Sequence, residues 1–336
     1  MSRSRVYISG YHHIVSCFAL DAGTGVLKLL SSSDAGPSPT YLAQHPSGAF
    51  LYAANEVAPG RISAYAINPQ DGRLVRINEA SSAGDGPCHV SVHLSGKWVF
   101  AANYGNGTIG VLPVRPDGGV GEPLAQIVPG KNAHQILCDP AGRHVFVPCL
   151  GSDWVAQYHF DAATGALTPS TPATLPVAAK AGPRHLAFHP SGCSACLINE
   201  LDNTMISLAY DPAQGVLTPR TVVSTLPAGC TVESSAGHLL FDPSGCFVYG
   251  SNRGHDSVVV FAFDAASGAL CLVGHKQGSE IACPRDFTID PTGRCLLVAG
   301  QDASRVTVFR CDPATGALRR LTVTKVPPAP AFVGVV

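Results

Sequence analysis

The sequence predicts an all-β protein, a seven-bladed β-propeller with four antiparallel strands per blade, in a single domain over residues 1–336. Three observations carry this. A glycine turn recurs seven times, as DAGTGVL, NPQDGRL, RPDGGVG, DAATGAL, DPAQGVL, DAASGAL and DPATGAL, with aligned glycines Gly25, Gly72, Gly119, Gly165, Gly215, Gly268 and Gly316. These glycines lie 46 to 53 residues apart, room for four short strands and their turns. A second turn (HPSG, HLSG, DPAG, HPSG, DPSG, DPTG) recurs only six times, and almost no segment sustains a helical period.

Each repeat then reads in a fixed order. Strand a (HLAFH in one copy) enters the HPSG-type turn and strand b (CLIN) leaves it. A polar loop leads to strand c, the glycine turn follows, and strand d completes the blade. Glycine holds that turn because a tight strand-to-strand connection needs positive φ. The first repeat begins at strand b, VYISG, with no strand a before it. The chain ends in APAFVGVV, which reads as a strand a with no turn after it. The C-terminal strand is therefore expected to complete the first blade and close the ring without a free edge.

Composition narrows the function. Net charge is −1 and charged residues are 13%, so no basic footprint for nucleic acid or an anionic membrane is present. No run approaches a membrane span, and MSRSRVYISG enters a strand-like run with no apolar signal core. Twelve cysteines scattered singly are expected to be reduced thiols of a cytoplasmic protein rather than a disulfide framework. The lone C-x-x-C, Cys193 to Cys196, has no second ligand pair, so no metal is expected, and no cofactor. The expected partner is a small molecule, with the chain a monomer or weak homo-oligomer.

Strands a and b are antiparallel, so the start of a lies beside the end of b, and both gather at one mouth of the channel. Aligning the blades on their turns places Thr40, Cys88, His134, Arg184, Gly237 and Arg285 at one repeat position. The next position holds Tyr41, His89, Gln135, His185, His238 and Asp286. Strand b ends at Asn55-Glu56, Asn103-Tyr104, Cys149-Leu150, Asn199-Glu200, Asn252-Arg253 and Gly300-Gln301. The opposite mouth, made by Pro/Ser/Gly turns, reads as structural. His134, Arg184, Glu200, Arg253 and Arg285 thus form a convergent titratable set, which marks a site. His89 and His238, by contrast, read as hydrogen bonders to backbone between blades.

At these residues the sequence resembles the seven-bladed propeller lactonases, which include 6-phosphogluconolactonases and fungal 3-carboxy-cis,cis-muconate lactonizing enzymes. The resemblance rests on ANYGNGTI (101–108), AHQI (133–136), GPRHLAFHP (182–190), NE (199–200), GSNRGHDSV (250–258) and PRDFTIDPTG (284–293). It implies that His134, Arg184, Glu200 and Arg253 are the catalytic group. Cys149 and Gly300 depart from the family pattern, where Asp and Asn are common.

The resemblance implies hydrolysis of a sugar or sugar-phosphate lactone. Glu200 or His134 is expected to act as base, and Arg184 and Arg253 to face the carbonyl oxygen or a substrate carboxylate. Arg285, with Lys131 or Lys180, is a candidate for holding a phosphate. His185, Asn103, Asn199 and Gln135 are further candidate substrate contacts. A muconate-type cycloisomerase and a non-catalytic binding scaffold are the alternatives, because a fold does not fix a function.

Overall fold

The structure, a computed structural model, describes residues 4–336; the first three residues of the predicted domain lie outside the described residues. Seven four-stranded antiparallel sheets form the blades of a ring. Blade 5 is representative, running Pro183–Phe188, Ser194–Asn199, Thr204–Asp211 and Val216–Ser224 from the channel outwards. Blade 1 is composite. Its innermost strand, Pro330–Val335, pairs with Ser4–Gly10 from the other end of the chain, with Val6 opposite Val335 and Ile8 opposite Val333.

The core is divided among seven apolar clusters, each wedged between two neighbouring blades. One of them joins Val6, Ile8 and Phe18 of blade 1 to Leu297, Val306 and Val308 of blade 7, and Val333 of the closing strand sits in it. Polar latches supplement the packing. Tyr7, Tyr52 and Tyr249 each donate a hydroxyl hydrogen bond to a carbonyl in the glycine turn of the next blade, at Gly72, Gly118 and Gly316. At the HPSG-type turns, His45 accepts from Ser47 N–H through Nδ1 and so donates through Nε2 to Gly96 O of the next blade, 3.0 Å away. His93 and His189 repeat this bond.

Two blades depart from the expected pattern. In blade 3 the turn glycine is Gly118, at φ +84°, rather than Gly119. Asp117 Oδ1 captures the Gly119 N–H, and a small hairpin bridged by Val114 and Val120 delays strand d to Gln126–Ile127. In blade 4 the inner strand shrinks to Leu137–Cys138, preceded by an isolated Ala133–Cys149 bridge, so His134 lies outside the regular strand.

One irregularity recurs around the ring. Pro183 pairs with Asn199 but His185 pairs with Ile198, which leaves Arg184 as an extra residue. The same slip isolates Thr40, Cys88 and Arg285 in blades 2, 3 and 7. In blade 6 it falls between Ala236 and Leu239, and in the closing strand it frees Ala331. These are β-bulges, which break the alternation of faces and re-aim a side chain.

Deleting residues 329–336 should expose two sheet edges and remove Ala331 and Val333, 3% and 1% exposed, from the core. Burial of this kind is worth about 1.5–3 kcal/mol per large apolar side chain. A fall in melting temperature on the order of 10 °C, or aggregation on expression, is therefore expected. Melting within two degrees or so of the full chain would contradict closure by this strand.

Candidate active site

The bulges bring Arg184 and Arg285 to the mouth, where strand-b ends supply Glu200 and Arg253. Glu200 is fixed through its backbone, its N–H donating to Gly182 O and its carbonyl accepting from Ala236 N. One carboxylate oxygen, Oε2, receives both Arg184 Nε at 2.8 Å and Arg253 Nη2 at 3.0 Å. Arg184 Nη1 also donates to Gly237 O, and Arg253 Nη2 to Ala236 O. Blades 5 and 6 are thereby joined through one Arg–Glu–Arg clamp.

The clamp sets the electrostatics. Burial pushes the Glu200 carboxyl up, but Arg184 and Arg253 outweigh it and hold the group below its ordinary value. Arg184 is 2% exposed, and burial and then the nearby Arg253 charge push it down to about 10. His134 is held well below the ordinary imidazole value, first by burial and then by Arg184, Arg285 and Arg253. It is therefore a neutral imidazole. Its Nδ1 has no hydrogen-bond partner among the described residues, and Tyr104 and His185 hold the ring edge-on, at centroid distances of 5.6 and 5.2 Å.

Arg285 lies over the Tyr11 ring at 5.2 Å, a cation–π contact, and enters no ion pair among the described residues. Tyr11 in turn points its hydroxyl at Glu56 Oε1, 3.4 Å away. Glu56 Oε2 is buried with no partner among the described residues. Sequence reasoning placed Glu56 at the mouth and gave it no role. Its signal was the Asn-Glu pair at the end of strand b, present in blades 2 and 5 alike.

Beneath the mouth, the next strand-a position forms a floor across the channel. His185 and His238 share a hydrogen bond between their Nδ1 atoms at 2.7 Å. His238 Nε2 lies 3.6 Å from Asp286 Oδ1, while Asp286 Oδ2 accepts from Val333 N. Burial pushes the Asp286 carboxyl up to about 7 and pulls His238 down to about 3, so as pH falls through neutrality Asp286 takes up a proton while His238 stays neutral. His89 Nδ1 accepts from Ile136 N of the next blade at 3.5 Å, the inter-blade role expected of it. His238 departs from that expectation, since its partners are side chains. Below the floor, a cavity of about 690 Å3 opens at the opposite mouth.

Asn103 is fully buried, and its amide donates to Ser82 O and Thr108 Oγ1; the Asn199 amide donates to Thr204 Oγ1 of its own hairpin. Gln135 Oε1 accepts from Leu186 N of the next blade at 2.6 Å. The Asn103 and Asn199 NH2 groups are thus committed to the backbone and to hairpin turns, while their Oδ1 atoms are buried without a partner among the described residues. His185 stays at the base of the mouth, bonded to His238 and 3.4 Å from Arg184 Nη1. Lys131 and Lys180 are exposed in inter-blade loops, and neither contacts Arg285 among the described residues. Glu200, expected as a base, has its Oε2 occupied by two guanidiniums.

A family model described as "Lactonase, 7-bladed beta-propeller" matches residues 5–335. The chain belongs to the seven-bladed propeller lactonase family. A 6-phosphogluconolactonase of Bacillus subtilis is 33% identical over 97% of this chain and 95% of its own length. Another, of Serratia proteamaculans, is 32% identical over 93% and 92%. The periplasmic gluconolactonase of Pseudomonas aeruginosa superposes with a TM-score of 0.93 at 29% identity, covering 100% of this chain and 99% of that one. In this propeller lactonase the two departures from the family pattern are both enclosed. Cys149 is fully buried, and a Cβ at Gly300 would come within 3.1 Å of Ile281 Cα, so the local backbone suits glycine.

Glu200→Gln should cost stability, because it leaves two guanidiniums beside a neutral amide. Breaking a buried pair costs about 3–5 kcal/mol, and melting is expected several degrees lower at pH 7. A carboxyl held below its ordinary value stabilises above its unfolded pKa and loses that contribution as pH falls through its folded pKa. The gap from wild type should therefore close below about pH 4. Identical melting at pH 7 would contradict the clamp.

Asp286→Asn should have the opposite effect. The folded chain keeps this proton up to about pH 7, whereas the unfolded chain releases it near pH 4. The cost of the aspartate grows between those values and is complete above them, on the order of 2–4 kcal/mol. The variant should melt higher at pH 8 and no higher at pH 4. A lower melting temperature at pH 8 would show an ionised Asp286 stabilised by His238.

Proposed function

We propose that this chain hydrolyses the lactone of a phosphorylated sugar acid, of the 6-phosphogluconolactone type, to the open-chain acid. The observation that carries this is the positive excess at the mouth: Arg184, Arg253 and Arg285 face Glu200 and Glu56, and Arg285 has no ion-pair partner among the described residues. Such a site favours an anionic substrate and stabilises the oxyanion that forms when water attacks a lactone carbonyl. The 33% identical relative named as a 6-phosphogluconolactonase supports the same substrate.

In this scheme Arg184 and Arg285 face the carbonyl oxygen. Glu200 holds Arg184 and Arg253 in place instead of moving protons, and His134 contributes as a neutral hydrogen-bonding group. We further propose a cytoplasmic location, which the twelve unpaired cysteines support. No helix among the described residues is long and apolar enough to cross a membrane.

A plain sugar lactone is the second reading, favoured by the 0.93 TM-score to a protein described as a gluconolactonase. Assays on 6-phosphogluconolactone, gluconolactone and a carboxymuconolactone, corrected for spontaneous hydrolysis, separate the readings. The phosphorylated lactone is expected to show a kcat/KM at least about tenfold above the plain one, with the margin shrinking as salt is raised. Equal values at low salt would favour the plain lactone. Turnover of the carboxymuconolactone alone would point to the cycloisomerase.

A further inference from the structure

Resting on the lactone-hydrolase reading, we propose that Glu56 is the general base of this site, taking the proton of the attacking water, and that Glu200 is not. A base needs a free lone pair directed at a water position. Of the two carboxylates at the mouth, Glu200 gives Oε2 to two guanidiniums. Glu56 has Oε2 buried without a partner among the described residues, and its other oxygen meets only the Tyr11 hydroxyl at 3.4 Å. No guanidinium is ion-paired to it among the described residues.

The pocket beside Glu56 has the size this step requires. Glu56, His134, Arg184 and Arg285 line a space of about 10 Å3, together with Cys88 and Tyr41. That is room for a single water, and its walls are polar enough to hold one. A buried carboxylate oxygen without a partner is costly, and such groups persist mainly where function uses them.

The step balances with water alone. Glu56 accepts a proton from the water as its oxygen bonds to the lactone carbonyl carbon, and the carbonyl electron pair moves onto an oxygen facing Arg184 and Arg285. When that oxyanion collapses, the ring C–O bond breaks and the Glu56 carboxylic acid returns the proton to the departing oxygen. The product hydroxy acid ionises in solvent. His134, neutral in this environment, orients the water.

Glu56→Gln tests this on the full chain, with turnover, KM and melting temperature measured together. Wild-type activity on 6-phosphogluconolactone or gluconolactone must be measured first; if both are inert, the lactonase reading fails, and this inference with it. With an active wild type, the expected result is a hundred- to ten-thousand-fold loss of kcat and little change in KM. The other titratable groups lining the pocket, Tyr41, Cys88, His134, Arg184, His185, Arg285 and Asp286, and Tyr11 beside Glu56, are all still present in the variant.

Retained kcat, or a raised KM with unchanged kcat, would overturn the proposal. If Glu56→Gln fails to fold, Glu56→Asp decides: lowered kcat with little change in KM supports the role, and wild-type kcat removes it.

Discussion

The chemistry at the mouth depends on one extra residue near the start of each inner strand. In a regular strand, neighbouring side chains point to opposite faces, so Arg184 and His185 could not both serve the channel. The bulge between Pro183 and His185 removes that constraint: Arg184 reaches Glu200 at the rim while His185 bonds to His238 beneath it. Because six of the seven blades carry the slip, one ring of positions faces the mouth and the next forms the floor. Blade 4 achieves the same end differently, by abandoning the ladder between Ala133 and Leu137. His134 and Gln135 sit in that gap.

Given this scaffold, the clamp sets which groups can move protons. Two guanidiniums on one carboxylate oxygen lower the basicity of Glu200 and, together with burial, keep His134 neutral. Arg184 is almost wholly enclosed, and a lone buried guanidinium would be costly without Glu200 opposite it. The clamp thus turns an otherwise unfavourable charge into a fixed donor array that need not reorganise as an oxyanion forms. The same pairing that suits Glu200 to positioning makes it a poor base, which moves that role to a carboxylate outside the clamp.

Much of this was legible in the sequence, for a physical reason: repeats fix backbone positions, and backbone position decides which mouth a residue reaches. The seven glycine turns, the six HPSG-type turns and the orphan APAFVGVV gave the ring and its closure. Aligning on the turns placed Arg184 beside Glu200. What the alignment could not carry was the allocation of hydrogen bonds. Asn103, Asn199 and Gln135 stand at mouth positions, yet the two asparagine NH2 groups and the Gln135 carbonyl bond to backbone and hairpin groups within and between blades. The second arginine on Glu200 comes from the neighbouring blade, so it depends on inter-blade spacing that no single repeat encodes. In blade 3 the positive-φ turn glycine is Gly118, one residue before the motif's Gly119, and Asp117 Oδ1 accepts from the Gly119 N–H.

The floor gives the site its remaining property. Tyr41, His89, His185, His238 and Asp286 pack across the channel, with Phe332 of the closing strand 4.9 Å from the Tyr41 ring. They separate the small polar pocket above from the largely apolar cavity below. A propeller channel open at both ends would admit water along its whole length and screen the arginines. A floor of neutral histidines and a carboxyl pushed up to about 7 carries little charge, and it keeps the dielectric low beneath Arg184. The cost of burying Asp286 there is offset by its bond to Val333 N, which ties the floor to the closing strand. Ring closure and site electrostatics therefore meet at one carboxyl group, and the strand that completes the fold also helps to seal the pocket in which the chemistry is proposed to occur.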